Sequence, residues 1–200
     1  MNIGKLAERL LDDLPGHSAH LTMATENRRF DFLNENVKDA AVLIALFEEE
    51  GSWKMPLIKR IEDGKTHGGQ IALPGGRIED GEDAINAAIR EADEEIGIAR
   101  EEIEIVGTLS ELVIPVSGYR VVPIIGRIKK NIKFKKNSDE VQEIFIIEID
   151  ELKKSSAVKS EEWTFSGMKV KIPFYEIKEG KIWGATAMIL SELIEIINRD

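Results

Sequence analysis

A continuous apolar run from Ala40 to Phe47, AAVLIALF, constrains the fold of this chain more than any other stretch. Such a run suits a strand buried at the centre of a sheet, and MPLIKRI, which follows EEEGSW, reads as its hairpin partner. Further strand-like segments are IEIVGTLSELVI and YRVVPIIGRI, separated by a Pro115 to Gly118 loop, then IFIIEI from Ile144 to Ile149, and a hairpin region in WTFSGMKVKIPFYEIKEGKIWG. Three segments read as helices. The first has apolar residues at Ile3, Leu6, Leu10 and Leu14 and is expected to end at Pro15-Gly16, with a polar stretch beyond it to about Lys38. The second runs from about Asp83 to Ile96, with Gly97 as a left-handed cap. The third is ATAMILSELIEIINR, with Ala187, Leu190, Leu193, Ile194 and Ile197 on one face. This order is mixed α/β, with one central helix between strands and helices at both ends.

At 200 residues, with no linker, repeat or low-complexity tract, the chain reads as a single domain, 1–200, divided into an N-terminal helix and extension (1–38) and a core (39–200). The formal net charge of −10 opposes attraction to nucleic acid or to an anionic membrane, so neither is an expected partner. The absence of cysteine excludes disulfides, thiolate chemistry and Cys-based zinc sites. The opening segment lacks a signal peptide's basic front and apolar core, and no stretch reaches membrane-spanning length, so the cytoplasm is the expected location.

The second helix carries the chemistry. Glu91, Glu94 and Glu95 stand at i, i+3 and i+4, which places three carboxylates on one face. At roughly 100° per residue, Ile85, Ala88, Ile89, Ala92 and Ile96 point about 120° away, so the helix can pack on a sheet while presenting acid outward. Three carboxylates this close repel one another unless a cation lies between them. Magnesium prefers oxygen ligands and commonly binds carboxylates together with substrate phosphates, which makes hydrolysis of a phosphoanhydride the reaction class that follows. Leu73-Pro74-Gly75-Gly76, just before the helix, offers a sharp turn whose glycines allow close approach of backbone to metal or phosphate. Arg90 is placed to orient the carboxylates from behind.

An acidic helix face is ordinarily a solvated surface, but here its spacing is specific. The stretch GRIEDGEDAINAAIREADEEIGI resembles the signature of the Nudix hydrolase family at Gly76, Glu82, Arg90, Glu91, Glu94, Glu95 and Gly97, departing only in the small Ala92 where a bulkier aliphatic residue is usual. The resemblance implies an α/β Nudix fold, a mixed β-sheet sandwiched between α-helices. It also implies Mg2+ or Mn2+ held by Glu91, Glu94 and Glu95 with backbone help at Gly76, and a catalytic base at Glu91 or at Glu140 in NSDEVQEIF.

Upstream, PLIKRIEDGKTHGGQIALPGG is similar to the second signature of the family's coenzyme A diphosphatases at Leu57, Arg60, Gly69, Pro74, Gly75 and Gly76, with Lys65 in place of a second arginine and departures at Pro56, Ile58, Ile61 and Leu73. LPGHSAHLTMA, LVIPVSGYRVVPIIG and IWGATAMILSEL look like the bacterial members of that subgroup. The implied substrate is coenzyme A or a derivative, split into adenosine 3′,5′-bisphosphate and 4′-phosphopantetheine, with Arg60 and Lys65 on its phosphates; analogy leaves room for a homodimer. Two rival readings are a pyrophosphatase for ADP-ribose or another nucleoside diphosphate derivative, and a Nudix-fold sensor without catalysis. Other residues weigh less: His67 reads as a structural hydrogen-bonding residue, His17 and His20 as less still, Lys129 to Lys136 as a solvated edge or turn, and Tyr119 and Trp183 as core aromatics. Nothing in their spacing assigns a role to Arg28 or Arg29.

Overall fold

The computed structural model describes residues 1–25, 37–62, 68–129, 133–165 and 167–199. In chain order, helices α1 (Ile3–Arg9) and α2 (His17–Thr22) precede strands β1 (Lys38–Glu49), β2 (Ser52–Arg60), β3 (Ile71–Ala72) and β4 (Gly75–Arg77), then helix α3 (Ala84–Ile96). Strands β5 (Ile103–Thr108), β6 (Leu112–Ile114), β7 (Tyr119–Ile128) and β8 (Val141–Glu148) follow, with a short helix α4 (Ile149–Leu152). Strands β9 (Val158–Phe165), β10 (Met168–Ile177) and β11 (Gly180–Trp183) lead into the closing helix α5 (Gly184–Asn198).

The expected hairpin forms, but its strands stay paired only near their turn, Phe47–Glu49 against Ser52–Lys54. Beyond that they diverge. β4 pairs antiparallel with β1 at Ala40–Val42, β3 pairs antiparallel with β2 at Ile58 and Lys59, and the Leu73 to Gly76 turn fills the fork between them. The Leu43 N–H donates to the Pro74 carbonyl at 2.8 Å, which fastens the turn to β1. Gly75 has φ of +150°, and a Cβ there would lie 2.3 Å from the Ala41 carbonyl oxygen, so this position accepts only glycine. On its other edge β1 runs parallel to β7, which pairs antiparallel with β5 and β6, while β8 runs antiparallel to β2. The sheet is therefore mixed.

Both faces of β1 are covered, as its apolar run requires. Ala40, Ile44 and Leu46 pack with Leu6, Met23 and the α5 residues Ala187, Leu190 and Leu193. Ala41, Leu43 and Ala45 face Ala87, Ala88, Ala92 and Ile96 of α3, where small residues on both sides bring helix and sheet backbones close together. The fold is the expected sandwich of a mixed sheet between helices. α3 is bounded as read from the sequence: the Asp83 side chain accepts from the Asn86 N–H at its start, and Gly97 takes a left-handed φ of 71° at its end.

Several boundaries differ from expectation. α1 stops at Arg9 rather than at Pro15-Gly16, and Leu11 is left exposed. α2 forms inside the stretch read only as polar, because it buries Ala19 and His20 against α5. β8 starts at Val141 rather than Ile144, since pairing with β2 carries it to the Arg60–Val141 register. The region expected as a hairpin is a separate three-stranded sheet, β11-β10-β9. α5 is buried nearly all round, including Met188, Ile189, Ser191 and Glu192 beside the expected stripe. Of the cluster from Lys129 to Lys136, residues 130–132 lie outside the described set; the described lysines are exposed and Phe134 packs on Phe47 with ring centroids 5.7 Å apart.

Candidate active site

The fork in the sheet and the helix above it create one site. Gly75 and Gly76 lie at the tip of β4, α3 crosses over them, and the ends of β2 and β8 close the side. Residues 133–140 wrap the end of α3: the Lys135 and Asn137 N–H groups donate to the Ile96 and Glu95 carbonyls, each at 3.0 Å. The loop thereby satisfies orphan carbonyls of the helix terminus and delivers Glu140 beside the helix.

Glu95 is the deepest of the three helix carboxylates. The expectation that acid and core face separate directions needs correction here, because Glu95 is fully buried, 0% exposed. Helical pitch explains it: at roughly 100° per residue Glu95 lies only about 20° from Ala88, at the edge of the apolar face. Its Oε2 accepts from the Gly75 N–H at 2.8 Å. Its Oε1 is 3.0 Å from Arg60 Nη1, close enough for an ion pair, yet no N–H points at it and it lacks a hydrogen-bond partner. Burial, opposed by Arg60 and the Gly75 amide, pushes the Glu95 carboxyl up to about 7.

Arg90 is the hub of the exposed side. Its Nε and Nη2 donate to the two Glu82 oxygens, both at 3.1 Å; Nη1 donates to Glu91 at 2.8 Å and to Glu94 at 3.2 Å; and Nη2 also reaches the Arg77 carbonyl at 3.0 Å. The hydrogen bond from Arg90 holds Glu82 below the usual carboxylate range. One guanidinium thus fixes two of the helix carboxylates and ties them to the loop before the helix. Glu91 lies directly against Gly76, where a Cβ would come within 2.5 Å of its carboxylate. Burial raises the Glu91 carboxyl, Arg90 opposes that, and the charges of Glu94 and Glu140 add to it. Glu140 is felt at Glu95 as well, so its charge bears on the same site.

Among the described residues no three carboxylates or imidazoles are already drawn around one point. Their mutual repulsion is met instead by Arg90 and Arg60. The donor set nonetheless fits a hard divalent cation. It is all oxygen, one buried carboxylate oxygen lacks a hydrogen bond, and the glycine turn leaves no side chain between backbone and Glu91.

Arg60, expected on substrate phosphate, uses its fork within the protein: besides facing Glu95, its Nη2 donates to the Gly75 carbonyl at 2.6 Å. Lys65, His67, Arg28 and Arg29 lie outside the described residues. Glu82 was recognisable as a signature position, but its grip on Arg90 was not. His20 is buried, on the far side of the sheet, with its Nε2 3.0 Å from Glu192 Oε2. Tyr119 and Trp183 are half-buried, with the Lys38 ammonium 6.0 Å from the Tyr119 ring and Trp183 edge-on to Trp163. A depression of about 400 Å3 lined by Phe47, Lys54, Phe134 and Glu148 lies at the opposite, turn end of β1 and β2, remote from these carboxylates. Among the described residues no helix is long and apolar enough to cross a membrane.

Known proteins resemble this chain in sequence and in fold. The model of the NUDIX domain matches residues 37–165. Nudix hydrolase 3 of Caenorhabditis elegans is 33% identical over 180 residues, covering 80% of this chain and 73% of that protein. Nudix hydrolase 15 of Arabidopsis thaliana, described as mitochondrial, is 37% identical over 161 residues, 76% of this chain but only 56% of the plant protein. The Nudix hydrolase NudL of Photorhabdus laumondii is 30% identical over 164 residues, 82% of this chain and 87% of that one. Among solved structures, the Nudix hydrolase RenU of M. smegmatis shares the fold with a TM-score of 0.58 at 19% identity, over 80% of this chain and 85% of that one.

Proposed function

The chain belongs to the Nudix hydrolase family, and we propose that it hydrolyses the pyrophosphate bond of coenzyme A or a derivative, giving adenosine 3′,5′-bisphosphate and 4′-phosphopantetheine. The observation that carries the hydrolase reading is the buried Oε1 of Glu95 beside the Gly75–Gly76 turn, which faces Arg60 but accepts no hydrogen bond, with the Glu91 carboxylate against Gly76. Glu91, Glu94 and Glu95 would hold Mg2+ or Mn2+, with the Gly76 backbone as a further oxygen donor. When bound, the ion neutralises charge on the substrate's phosphates and on the departing one.

The protein's own groups do the rest. Arg90 holds Glu91 and Glu94 in place against their mutual repulsion. Glu91 or Glu140 accepts the proton of the attacking water as its oxygen bonds to phosphorus and the bridging oxygen leaves with the other phosphate. Glu91 is half-buried against Gly76, and burial raises its carboxyl. The coenzyme A assignment rests on the similarity of the Leu57 to Gly76 segment to that subgroup, with Lys65 as a cation for the adenosine 3′-phosphate; a cytoplasmic location and a homodimer accompany it.

A second reading has its own support. Because Arg60 is engaged with Glu95 and Gly75, it is less available to a 3′-phosphate, and this favours a pyrophosphatase for ADP-ribose or another nucleoside diphosphate derivative. Incubation with Mg2+ and, separately, coenzyme A, 3′-dephospho-coenzyme A and ADP-ribose, with products resolved by chromatography, separates the readings. Faster cleavage of coenzyme A than of its 3′-dephospho form supports the first; equal rates, or a preference for ADP-ribose, support the second. No product from these or from any pyrophosphate in a wider panel turns the assignment to a nucleotide-binding module.

A further inference from the structure

We infer that Arg60 is a positioning residue for the metal ligands rather than a substrate-binding one, an inference that rests on the reading of Glu95 as a ligand. Arg60 closes β2 and is placed by the register shift between Lys59 and Arg60 in the pairing with β8. From there its two terminal nitrogens diverge. Nη1 lies 3.0 Å from Glu95 Oε1 on α3, and Nη2 donates at 2.6 Å to the carbonyl of Gly75, the first residue of β4. The Gly75 N–H in turn donates to the other Glu95 oxygen at 2.8 Å. Arg60, the Gly75 peptide and the Glu95 carboxylate therefore form a closed ring that locks α3 to the glycine turn. The Gly76 backbone and the Glu91 carboxylate against it inherit their separation from that lock.

This geometry differs from that of a phosphate-binding arginine in three respects. The arginine side chain is mostly covered, 29% exposed. One of its branches is spent on a neutral backbone carbonyl, which a phosphate contact does not require. Its ion pair with Glu95 is not aligned as a hydrogen bond, so Oε1 keeps a lone pair for a cation while the positive charge holds the carboxylate in place. A lysine at this position would supply one ammonium where two atoms on different elements need to be bridged.

The fork's positive charge also works against a nearby cation, so the sign of the effect of removing it is informative. Groups that orient metal ligands are typically worth about 10–100-fold in metal affinity. The test is Mn2+ binding to the protein without nucleotide, by isothermal titration and by the loss of the free-ion paramagnetic resonance signal, for wild type, Arg60→Met, Arg60→Lys and Glu95→Gln. Thermal unfolding is recorded for each, and Arg60→Lys carries the comparison if Arg60→Met does not fold. KM for the preferred nucleotide is measured at saturating Mn2+.

Mn2+ binding is expected to be about tenfold or more weaker in Arg60→Met and weakened less in Arg60→Lys, with KM unchanged once metal is saturating. Unchanged or tighter Mn2+ binding together with a raised KM would overturn it and return Arg60 to the substrate. If instead Glu95→Gln binds Mn2+ as well as wild type, the ligand reading beneath it fails, a result distinguishable from failure of the arginine alone.

Discussion

Among the described residues two glutamates are fully buried, one on each side of the sheet, and they are treated in opposite ways. Glu192 of α5 accepts from the Gly16 N–H at 3.0 Å, from the Ser110 hydroxyl at 2.6 Å, from the Ser110 N–H, and pairs with His20 at 3.0 Å. Burial alone would raise it, but the hydrogen bonds from His20 and Ser110 prevail and hold it below its ordinary range. Glu95 of α3 has one hydrogen bond, on Oε2, while its Oε1 has only the unaligned ion pair with Arg60, and it is pushed up to about 7. Glu192 is a structural node that joins α2, α5 and the segment between β5 and β6. Glu95 is held short of satisfaction, which costs stability and leaves donor capacity for a ligand.

Substitution separates the two roles most strongly through activity. Glu95→Gln is expected to lower turnover by about 10²–10³-fold, the loss typical of removing one preorganised charge-stabilising group, while stability stays within about 1 kcal/mol of wild type. Steady-state kinetics and urea unfolding check both. Glu192→Ala should show the reverse. Removing a buried acceptor from four donors is expected to cost on the order of 3 kcal/mol, with turnover per folded molecule unchanged. An unaltered urea midpoint would show that the node is dispensable.

Gly76→Ala is the next smaller effect. Its methyl group displaces the Glu91 carboxylate, a flexible group that can swing away, so turnover should fall by about tenfold while stability falls by only about 1 kcal/mol. Gly76 variants with full activity would remove Glu91 from the chemistry.

The last contrast is in pH dependence, where the two glutamates should have opposite signs. A carboxyl whose folded pKa stands above its unfolded value favours the fold in its neutral form. The contribution of Glu95 to metal-free stability is therefore full below about 4.5 and lost as pH rises through about 7. Glu192, held low, contributes stability that is present above its ordinary range near 4.5 and lost as pH falls through its folded value. Melting temperatures across pH 3 to 8 for wild type and the two Gln variants check this: each variant should flatten its own limb of the profile, and a shared change on one limb would contradict the contrast.

The carboxylate helix was legible because its information is local. The i, i+3, i+4 spacing, the Asp83 and Gly97 caps and the glycine turn all lie within one stretch of chain, and the buried strand announced itself by its unbroken apolar run. The burial of Glu95 was recoverable from the same helical arithmetic, which puts it beside Ala88, but its charge argued for the surface. Glu192 was hidden altogether. It stands in an apolar helix, and its partners Gly16, His20 and Ser110 lie 82 to 176 positions away in sequence. The fork between β1 and β2 was equally non-local, since a hairpin pattern does not reveal that a later turn will occupy the gap between its strands. Arg60 was recognised by position and assigned by its charge, whereas its partners depend on where that fork brings Gly75.

The most direct test of the central claim is the anomalous scattering of manganese in a crystal of the protein grown or soaked with Mn2+. A peak is expected within coordination distance of Glu95 Oε1 and bounded by Glu91, Glu94 and the Gly76 backbone. A well-diffracting, Mn2+-saturated crystal with no peak there, or with its only peak away from α3, would contradict it.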